Sequence, residues 1–278
     1  MTAIEFDRVS RDFATPDGRP YRALDEISFA LSAGSFVAIV GPSGCGKSTL
    51  LNIAAGLLAP SSGRLLVGEP PAELHGLNTN ATYMFQQDAL LPWKTVRANV
   101  ALGLTLGGVA RPEAHARAEA WLERVGLAAF AAHYPSKLSG GMRKRVAMAQ
   151  NWIIDRGTLL MDEPFSALDV HTRLRMETEL LTLWEGVKDG GPAGRERKTV
   201  VFVTHDLEEA IALADEVIVL SAGPAARVVA RHPVTLDRPR DLMELRTSSA
   251  FVDLYGAIWV VLREEVIKSQ RSAEASRG

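Results

Sequence analysis

Apolar positions near the N-terminus form short runs that alternate with polar residues. The runs "IEFDRV", "LDEISFAL" and "SFVAIV" in residues 4–40 are separated by the turn-rich stretches "TPDGRP" and "SAGS". This alternation is typical of β-strands joined by turns. From Ser48 the stretch "STLLNIAAGLL" has helical character and ends before Pro60. The pattern therefore predicts a strand, a Gly-rich turn and a helix in succession, which begin a βαβ unit.

Residues 94–155 are rich in alanine and leucine and carry few strand signals. We expect a helical insert, with one helix that begins at Pro112. Its predicted buried face comprises Ala116, Ala120, Trp121, Leu122 and Val125. Strand character returns in "TLLMDEP", "TVVFVTHD" and "DEVIVL", separated by helical stretches, so we expect a parallel sheet to resume. The polar, Gly-rich segment 186–198 predicts a loop.

Residues 248–270 have the period of an amphipathic helix. Its apolar face comprises Phe251, Leu254, Tyr255, Ile258 and Leu262. Packing on the domain is favoured over a membrane or partner role, because the period is an ordinary one. We expect one domain over residues 1–278. Its predicted parts are a catalytic α/β core (1–93 and 156–235), a helical subdomain (94–155) and a C-terminal helical extension (236–270).

Composition narrows the class of protein. The chain has 278 residues, a net charge of −2 and 47% hydrophobic residues, which suits a globular unit with a substantial core. No long basic stripe indicates nucleic-acid binding. The apolar runs are shorter than the roughly 18–20 residues that span a bilayer, and the N-terminus lacks the apolar run of a secretory signal. The single Cys45 excludes an internal disulfide and fits a reducing compartment.

The stretch "GPSGCGKST" matches the phosphate-binding pattern G-x-x-x-x-G-K-[ST] between a predicted strand and helix. Glycines allow backbone N–H groups to surround phosphate oxygens, Lys47 reaches the β- and γ-phosphates, and Ser48 offers a hydroxyl to Mg²⁺. We expect a thiolate at Cys45, because it lies beside Lys47 in this loop. The candidate nucleotide-binding residues are Gly41, Pro42, Ser43, Gly44, Cys45, Gly46, Lys47, Ser48 and Thr49.

Acidic and amide side chains follow the predicted strands. "LLMDEP" ends in Asp162, placed to orient a metal, and Glu163, placed to activate a water. His205 follows "TVVFVT"; a lone histidine is more often structural, but its position favours contact with a γ-phosphate. In "YMFQQDALLPW" an amide could meet the metal or the water, and position alone leaves Gln86 and Gln87 open.

The stretch "LSGGMRKRVAMAQ" begins a helix that Ser139 caps, with apolar residues at helical spacing. Arg143, Lys144 and Arg145 lie in its first turn, where the helix dipole makes each cation unfavourable by a few tenths of a kcal/mol. The arrangement calls for a negative charge nearby.

With these motifs in order, residues 4–235 resemble the ATP-binding subunit of an ABC transporter. The resemblance is carried by "GPSGCGKST", "FQQDALLPW", "LSGGM", "LLMDEP", "SALD" and "VTHD". It implies an α/β fold: a P-loop ATPase core with a mainly parallel sheet, an N-terminal antiparallel β part and an α-helical subdomain. It also implies ATP hydrolysis with Mg²⁺. In this family the first glutamine after the aromatic residue carries the role, so the resemblance selects Gln86.

The resemblance implies a head-to-tail homodimer with two ATP molecules at the interface. Ser139, Gly140 and Gly141 would contact the γ-phosphate held by the partner's P-loop, and this anion would also face the first-turn cations. Asp169 would couple the two sites, while Glu163 polarises the water and His205 holds the γ-phosphate. Ser48, Gln86 and Asp162 would serve the metal.

Two aromatic residues near the N-terminus are candidates for the adenine. By resemblance Phe13 would stack on the base. A core role for Phe13 is equally open, and Tyr21 is a weaker rival.

A single ATPase unit without a spanning segment implies an importer arrangement: a peripheral subunit on the cytoplasmic face of the inner membrane, beneath separate permease subunits, with a solute-binding protein as an indirect partner. "DALLPW" would meet short cytoplasmic helices of the permease, although Leu90, Leu91 and Trp93 could instead be ordinary core.

"SALDVHTR" and "RPRD" resemble the nitrate, sulfonate and taurine group, whereas "MAQNWIIDRGTLLMDEP" and "SAGPAARVV" depart from its pattern. The alternative is a soluble ABC-type ATPase of an assembly complex.

Overall fold

The computed structural model describes residues 1–15, 18–186 and 197–275, and the predicted loop at 186–198 lies almost wholly outside them. The strands of the described residues are β1 (Thr2–Ala14), β2 (Pro20–Ser32), β3 (Phe36–Val40), β4 (Ser62–Val67), β5 (Ala72–Glu73), β6 (Ala81–Met84), β7 (Thr158–Asp162), β8 (Thr199–Val203), β9 (Glu216–Leu220) and β10 (Val228–Pro233).

The helices in the same ranges are α1 (Lys47–Ala54), α2 (Val96–Val100), α3 (Leu102–Leu106), α4 (Arg111–Arg124), α5 (Gly140–Trp152), α6 (Val170–Glu185), α7 (Leu207–Leu213), α8 (Leu242–Leu245) and α9 (Ser249–Ala275). None of these helices is long and apolar enough to cross a bilayer.

A six-stranded sheet in the order β10-β9-β3-β8-β7-β6 forms the centre of the fold. The strands from β9 to β6 are parallel, and β10 runs antiparallel to β9. All residues of β3 and β8 are buried, as expected for β-branched and aromatic runs covered on both faces. Because β3, β7 and β8 are parallel neighbours, their carboxyl ends meet at one edge, where such sheets bind ligands.

A second, antiparallel sheet has the order β2-β1-β4-β5. It packs on the central sheet through a buried cluster that includes Phe6, Leu24 and Ile27 from the antiparallel strands and Ile39 and Leu50 from β3 and α1. The predicted fold class is confirmed: a mainly parallel core sheet, an N-terminal antiparallel part and a helical part.

Helices α2–α5 surround a core of their own. The predicted buried face of α4 is partly wrong, because Ala116 and Ala120 are exposed. The buried residues of α4 follow the i, i+4 rows of a helix and are Ala114, Ala118 and Leu122, followed by Val125 just past its end. Alanines on both faces leave the phase of this helix poorly marked in the sequence.

Helix α9 continues five residues beyond the predicted extension. Phe251, Ile258 and Leu262 are buried against the main core, and Leu254 and Tyr255 are half-buried there. The expected packing of this helix on the domain is confirmed.

Candidate nucleotide-binding and hydrolysis site

The loop between β3 and α1 has the shape of a phosphate cradle. Gly44 and Gly46 have φ values of 77° and 99°, in the left-handed region that favours glycine. A Cβ on Gly41 would lie 2.9 Å from the sulfur of Cys45. The first turn of α1 has neither an acidic residue nor a side-chain cap. Its N–H groups are therefore available to an anion such as a phosphate.

Lys47 lies at the centre of this cradle and is 6% exposed. Its Nζ donates to the carbonyl oxygens of Gly41 at 2.9 Å and Pro42 at 3.1 Å. Across the described part of the chain no carboxylate forms an ion pair with it. A buried cation held only by neutral acceptors gains greatly from an anion, so the loop suits a phosphate.

The expectation of a thiolate at Cys45 is wrong. The residue is 1% exposed, and burial raises the pKa of the thiol more than Lys47 lowers it. The sulfur lies close to Gly41 of the loop, and the residue belongs to the buried cluster that includes Ile39 and Leu50. Cys45 therefore contributes its backbone and its packing to the cradle, and a reactive sulfur is not expected.

The residues beside the cradle fit Mg²⁺. Ser48 Oγ donates to Asp162 Oδ1 at 3.0 Å, and the Tyr83 hydroxyl donates to Oδ2 at 3.2 Å. Burial raises the pKa of Asp162 despite both hydrogen bonds, so a nearby cation would relieve the cost of its charge. No cluster of three or more His, Cys, Asp or Glu suits a metal among the described residues. Mg²⁺ that keeps waters and phosphate oxygens needs only one or two such protein ligands.

The three catalytic candidates lie together past the ends of β6, β7 and β8. Glu163 has a φ of 41°, an uncommon value for a side-chain-bearing residue, and its N–H donates to Val203 O at 2.9 Å. Glu163 Oε2 lies 3.1 Å from His205 Nδ1 and accepts from Gln86 Nε2 at 3.4 Å. Ser166 Oγ lies 3.3 Å from the same Gln86 nitrogen. Gln86 thus approaches Glu163 rather than Ser48 or Asp162, and its metal role stays a prediction.

The turn that begins α5 is presented to solvent. Ser139 accepts from the N–H of Met142 at 3.3 Å, which confirms its predicted capping role. Both Ser139 and Gly140 are exposed. A Cβ on Gly141 would lie 2.7 Å from Thr172 Cγ2, so the turn packs beside the start of α6. In the residues that the structure describes, no hydrogen bond joins this turn to the chain's own P-loop.

Asp169 is exposed and caps α6, with Oδ1 accepting from the N–H of Thr172 at 3.0 Å. Its role between two subunits stays a prediction.

The first-turn cations of α5 have partners within the chain. Arg143 Nε and Lys144 Nζ lie 2.8 and 3.4 Å from the carboxylate of Asp88, and Arg145 Nε lies 3.3 Å from Glu179 Oε2. The predicted need for an anion from a second subunit is therefore wrong. The compensating charges come from the loop after β6 and from α6.

The adenine candidates lie on the β1–β2 hairpin, where Phe13 pairs in register with Tyr21. Phe13 is half-buried, belongs to none of the buried clusters, and has the guanidinium of Arg11 4.8 Å from its ring centre. A core role for Phe13 is wrong for that reason. A Cβ on Gly223 would approach both the Tyr21 hydroxyl and the carbonyl of Gly44, so Tyr21 lies near the cradle.

Sequence reasoning missed Tyr83 and Ser166, which hold Asp162 and Gln86. It also missed a charged cluster behind His205. In that cluster Arg173 bridges Asp206 at 2.9 Å and Glu209 at 3.6 Å, and Arg246 Nη2 donates to Glu177 Oε2 at 2.6 Å. Asp206, an acidic N-cap just before the glutamates of α7, could have indicated the part of the cluster that lies on α7. Nothing local marks Glu177, because its partner lies 69 residues away.

Glu177 should make stability depend on pH. It is fully buried, and burial raises its pKa to about 7. Between its ordinary value near 4.5 and 7 the folded chain keeps a proton that the unfolded chain has lost. Stability therefore falls as pH rises through this window, by at most about 1.4 kcal/mol per pH unit. We expect Glu177→Gln to flatten the fall in unfolding temperature between pH 5 and 8.

The matched control is Glu264→Gln, an exposed glutamate on α9. Burial also raises the pKa of Glu209. All three proteins should therefore keep a residual fall in unfolding temperature as pH rises. Equal slopes for wild type and Glu177→Gln would contradict the assignment.

Comparison with known proteins agrees with this geometry. Residues 24–166 match the family model described as ABC transporter. The chain is 42% identical over 263 residues to a taurine import ATP-binding protein, TauB, of Rhizobium johnstonii, covering 93% of this chain and 96% of that one. It is also 42% identical over 253 residues to an uncharacterized ABC transporter ATP-binding protein of Methanocaldococcus jannaschii, covering 91% and 89% of the two chains.

Among solved structures, a dimeric post-hydrolysis state of the ATP-binding cassette MJ0796 bound to ADP and Pi has a TM-score of 0.70. It is 29% identical and covers 84% of this chain and 100% of that one.

Proposed function

Because this chain belongs to the ABC transporter family and is an ATP-binding, ATP-hydrolysing subunit, we propose that it powers import of a small solute such as taurine, another sulfonate or nitrate. The observation that carries the proposal is the 42% identity to a taurine import ATP-binding protein across nearly the whole of both chains. Separate membrane subunits form the path for the solute. The chain acts at the cytoplasmic face of the membrane.

Hydrolysis is assigned to the edge of the central sheet. The cradle and Lys47 bind the phosphates. Ser48 and Asp162 would hold Mg²⁺, which would supply positive charge against the phosphate oxygens. Glu163 accepts a hydrogen bond from the attacking water and polarises it. His205, 3.1 Å from Glu163, orients that carboxylate and faces the γ-phosphate.

The active form is a homodimer with two ATP molecules between the chains. Ser139 and Gly140 are exposed and, among the described residues, form no hydrogen bond with their own cradle, which supports this arrangement. A related cassette is known as a dimer with ADP and Pi. ATP that contacts both subunits stabilises the closed dimer, and hydrolysis removes that contact. The free-energy difference between the closed and the open dimer therefore depends on ATP, and this dependence can drive transport.

A groove of about 520 Å³ supports docking of a permease helix. It lies between β6 and the helical part and is lined by residues that include Phe85, Ala89 and Leu106. Phe85 and Leu106 are exposed, and Trp93 nearby in sequence is 70% exposed. Leu90 and Leu91 are half-buried, with Leu90 packed on both neighbouring cores. The core interpretation thus fits Leu90, while the exposed apolar groups suit a helix of a membrane partner.

The test is capture of partners on tagged Glu163→Gln in mild detergent with Mg-ATP. We expect integral membrane subunits to be recovered. The wild-type chain, assembled with those subunits in vesicles and given the solute-binding protein, should hydrolyse ATP faster with taurine or another sulfonate than with no solute. Recovery of soluble proteins alone, with membrane extraction verified, would overturn import and favour an assembly ATPase.

A further inference from the structure

The loop that carries Gln86 is held by the first turn of α5. Lys144 Nζ donates to the Gln86 carbonyl at 2.5 Å and lies 3.4 Å from Asp88 Oδ1. Arg143 Nε donates to Asp88 Oδ2 at 2.8 Å, and its Nη1 donates to Leu138 O at 2.9 Å. Two cations on one helical turn thus bind both ends of the segment 86–88.

The placement of Lys144 is costly for folding. Its side chain is 4% exposed at the positive end of a helix, and burial lowers the pKa of its ammonium group despite the nearby Asp88. An apolar side chain of similar length would avoid these costs. A buried cation in such a place, whose acceptors lie on a loop that carries a site residue, indicates a role beyond stability.

We propose that Lys144, with Arg143 and through Asp88, is a positioning residue that holds Gln86 against Glu163. The inference rests on the proposed function and on the expected role of Gln86, whose amide would meet the metal or the attacking water. The chain of contacts runs from the α5 turn to the Gln86 backbone, and from the Gln86 side chain to Glu163 at 3.4 Å. Lys144 touches neither nucleotide nor water in this scheme.

The contacts have a consequence for the dimer. Helix α5 begins at the Ser139 turn, which serves the partner's ATP in the proposed assembly, while Lys144 on the same helix holds Gln86 in the chain's own site. A shift of this turn therefore displaces Gln86 relative to Glu163. Asp88 also lines the groove proposed for the permease. Binding of the partner's ATP at the Ser139 turn would thus affect hydrolysis in the chain's own site. Binding of a permease helix in the groove would affect hydrolysis in that same site.

A double-mutant cycle tests the assignment. Lys144→Met keeps the length of the side chain and removes the ammonium. We expect it to lower kcat roughly tenfold, because displacement of a positioned group by about 1 Å costs up to 10²-fold, while KM for ATP stays within about twofold. In the Gln86→Ala background the same change should alter kcat less than about twofold, since the group that it positions is gone.

Arg145→Met is the matched control. Arg145 is a cation of the same turn, but it pairs with Glu179 on α6 rather than with the Gln86 loop, so kcat should stay within about twofold of wild type. Asp88→Asn is the second variant, used if Lys144→Met does not fold. It should also lower kcat in the wild-type background and have no further effect beside Gln86→Ala.

An unchanged kcat for the folded variants would overturn the inference, and so would losses that are fully additive with Gln86→Ala. Both results would leave ATP hydrolysis by the wild type, and the proposed function, intact. A wild-type protein that binds but does not hydrolyse ATP would instead overturn the proposed function and this inference with it.

Discussion

Glu163→Gln is expected to lower ATP turnover by on the order of 10²–10⁴-fold, the usual loss when one positioned base is removed. The carboxylate lies just past β7, 3.1 Å from His205, where a water next to a γ-phosphate can donate to it. Glutamine keeps the shape and can still accept a hydrogen bond, but it cannot attract the proton. ATP binding should persist, because the cradle and Lys47 are untouched.

Single-turnover hydrolysis and equilibrium ATP binding together check this prediction. Glu123→Gln, at an exposed position on α4, is the matched control and should keep wild-type turnover. A Glu163→Gln variant that retains more than about a tenth of wild-type turnover would contradict the assignment of Glu163 as the polarising group.

Lys47→Ala is expected to weaken ATP binding by about 10²-fold or more. The ammonium is buried in the cradle, and within the described ranges its hydrogen-bond acceptors are the Gly41 and Pro42 carbonyls. Each charge-assisted hydrogen bond to phosphate contributes about 1.5–3 kcal/mol, and every 1.4 kcal/mol is a factor of ten in affinity. The free protein should stay folded, because the change removes a buried charge without a counter-ion in the described structure.

Titration with ATP, followed by calorimetry or a fluorescent analogue, measures the affinity. Lys94→Ala, a change of the same kind outside the cradle, should bind as tightly as wild type. Unchanged affinity in a folded Lys47→Ala variant would contradict the placement of the phosphates.

The order of the elements and most of the site were predictable from the sequence. Apolar runs of three to five residues mark β3, β7 and β8, and parallel pairing brings the residues that follow them to one edge of the sheet. The cradle, Asp162, Glu163 and His205 each follow such a run, so their proximity could be predicted without coordinates.

Features that depend on contacts distant in sequence were not predictable. Arg143 pairs with Asp88 across 55 residues, so the first-turn cations looked uncompensated when only their own helix was read. The proximity of Lys47 in the sequence predicted a thiolate at Cys45. The burial that opposes this charge depends on how the loop folds, which the sequence does not show. The phase of α4 failed for another reason: alanine is small enough to be tolerated on either face.

A site shared between two subunits is tested most directly by the mass of Glu163→Gln in solution, measured by light scattering with and without Mg-ATP. We expect the mass of one chain without nucleotide and twice that mass with saturating ATP, because ATP joins the cradle of one chain to the Ser139 turn of the other. Ser139→Arg in the same background should stay monomeric while it still binds ATP. A Glu163→Gln protein that binds ATP and keeps the mass of one chain would contradict a site shared between two subunits.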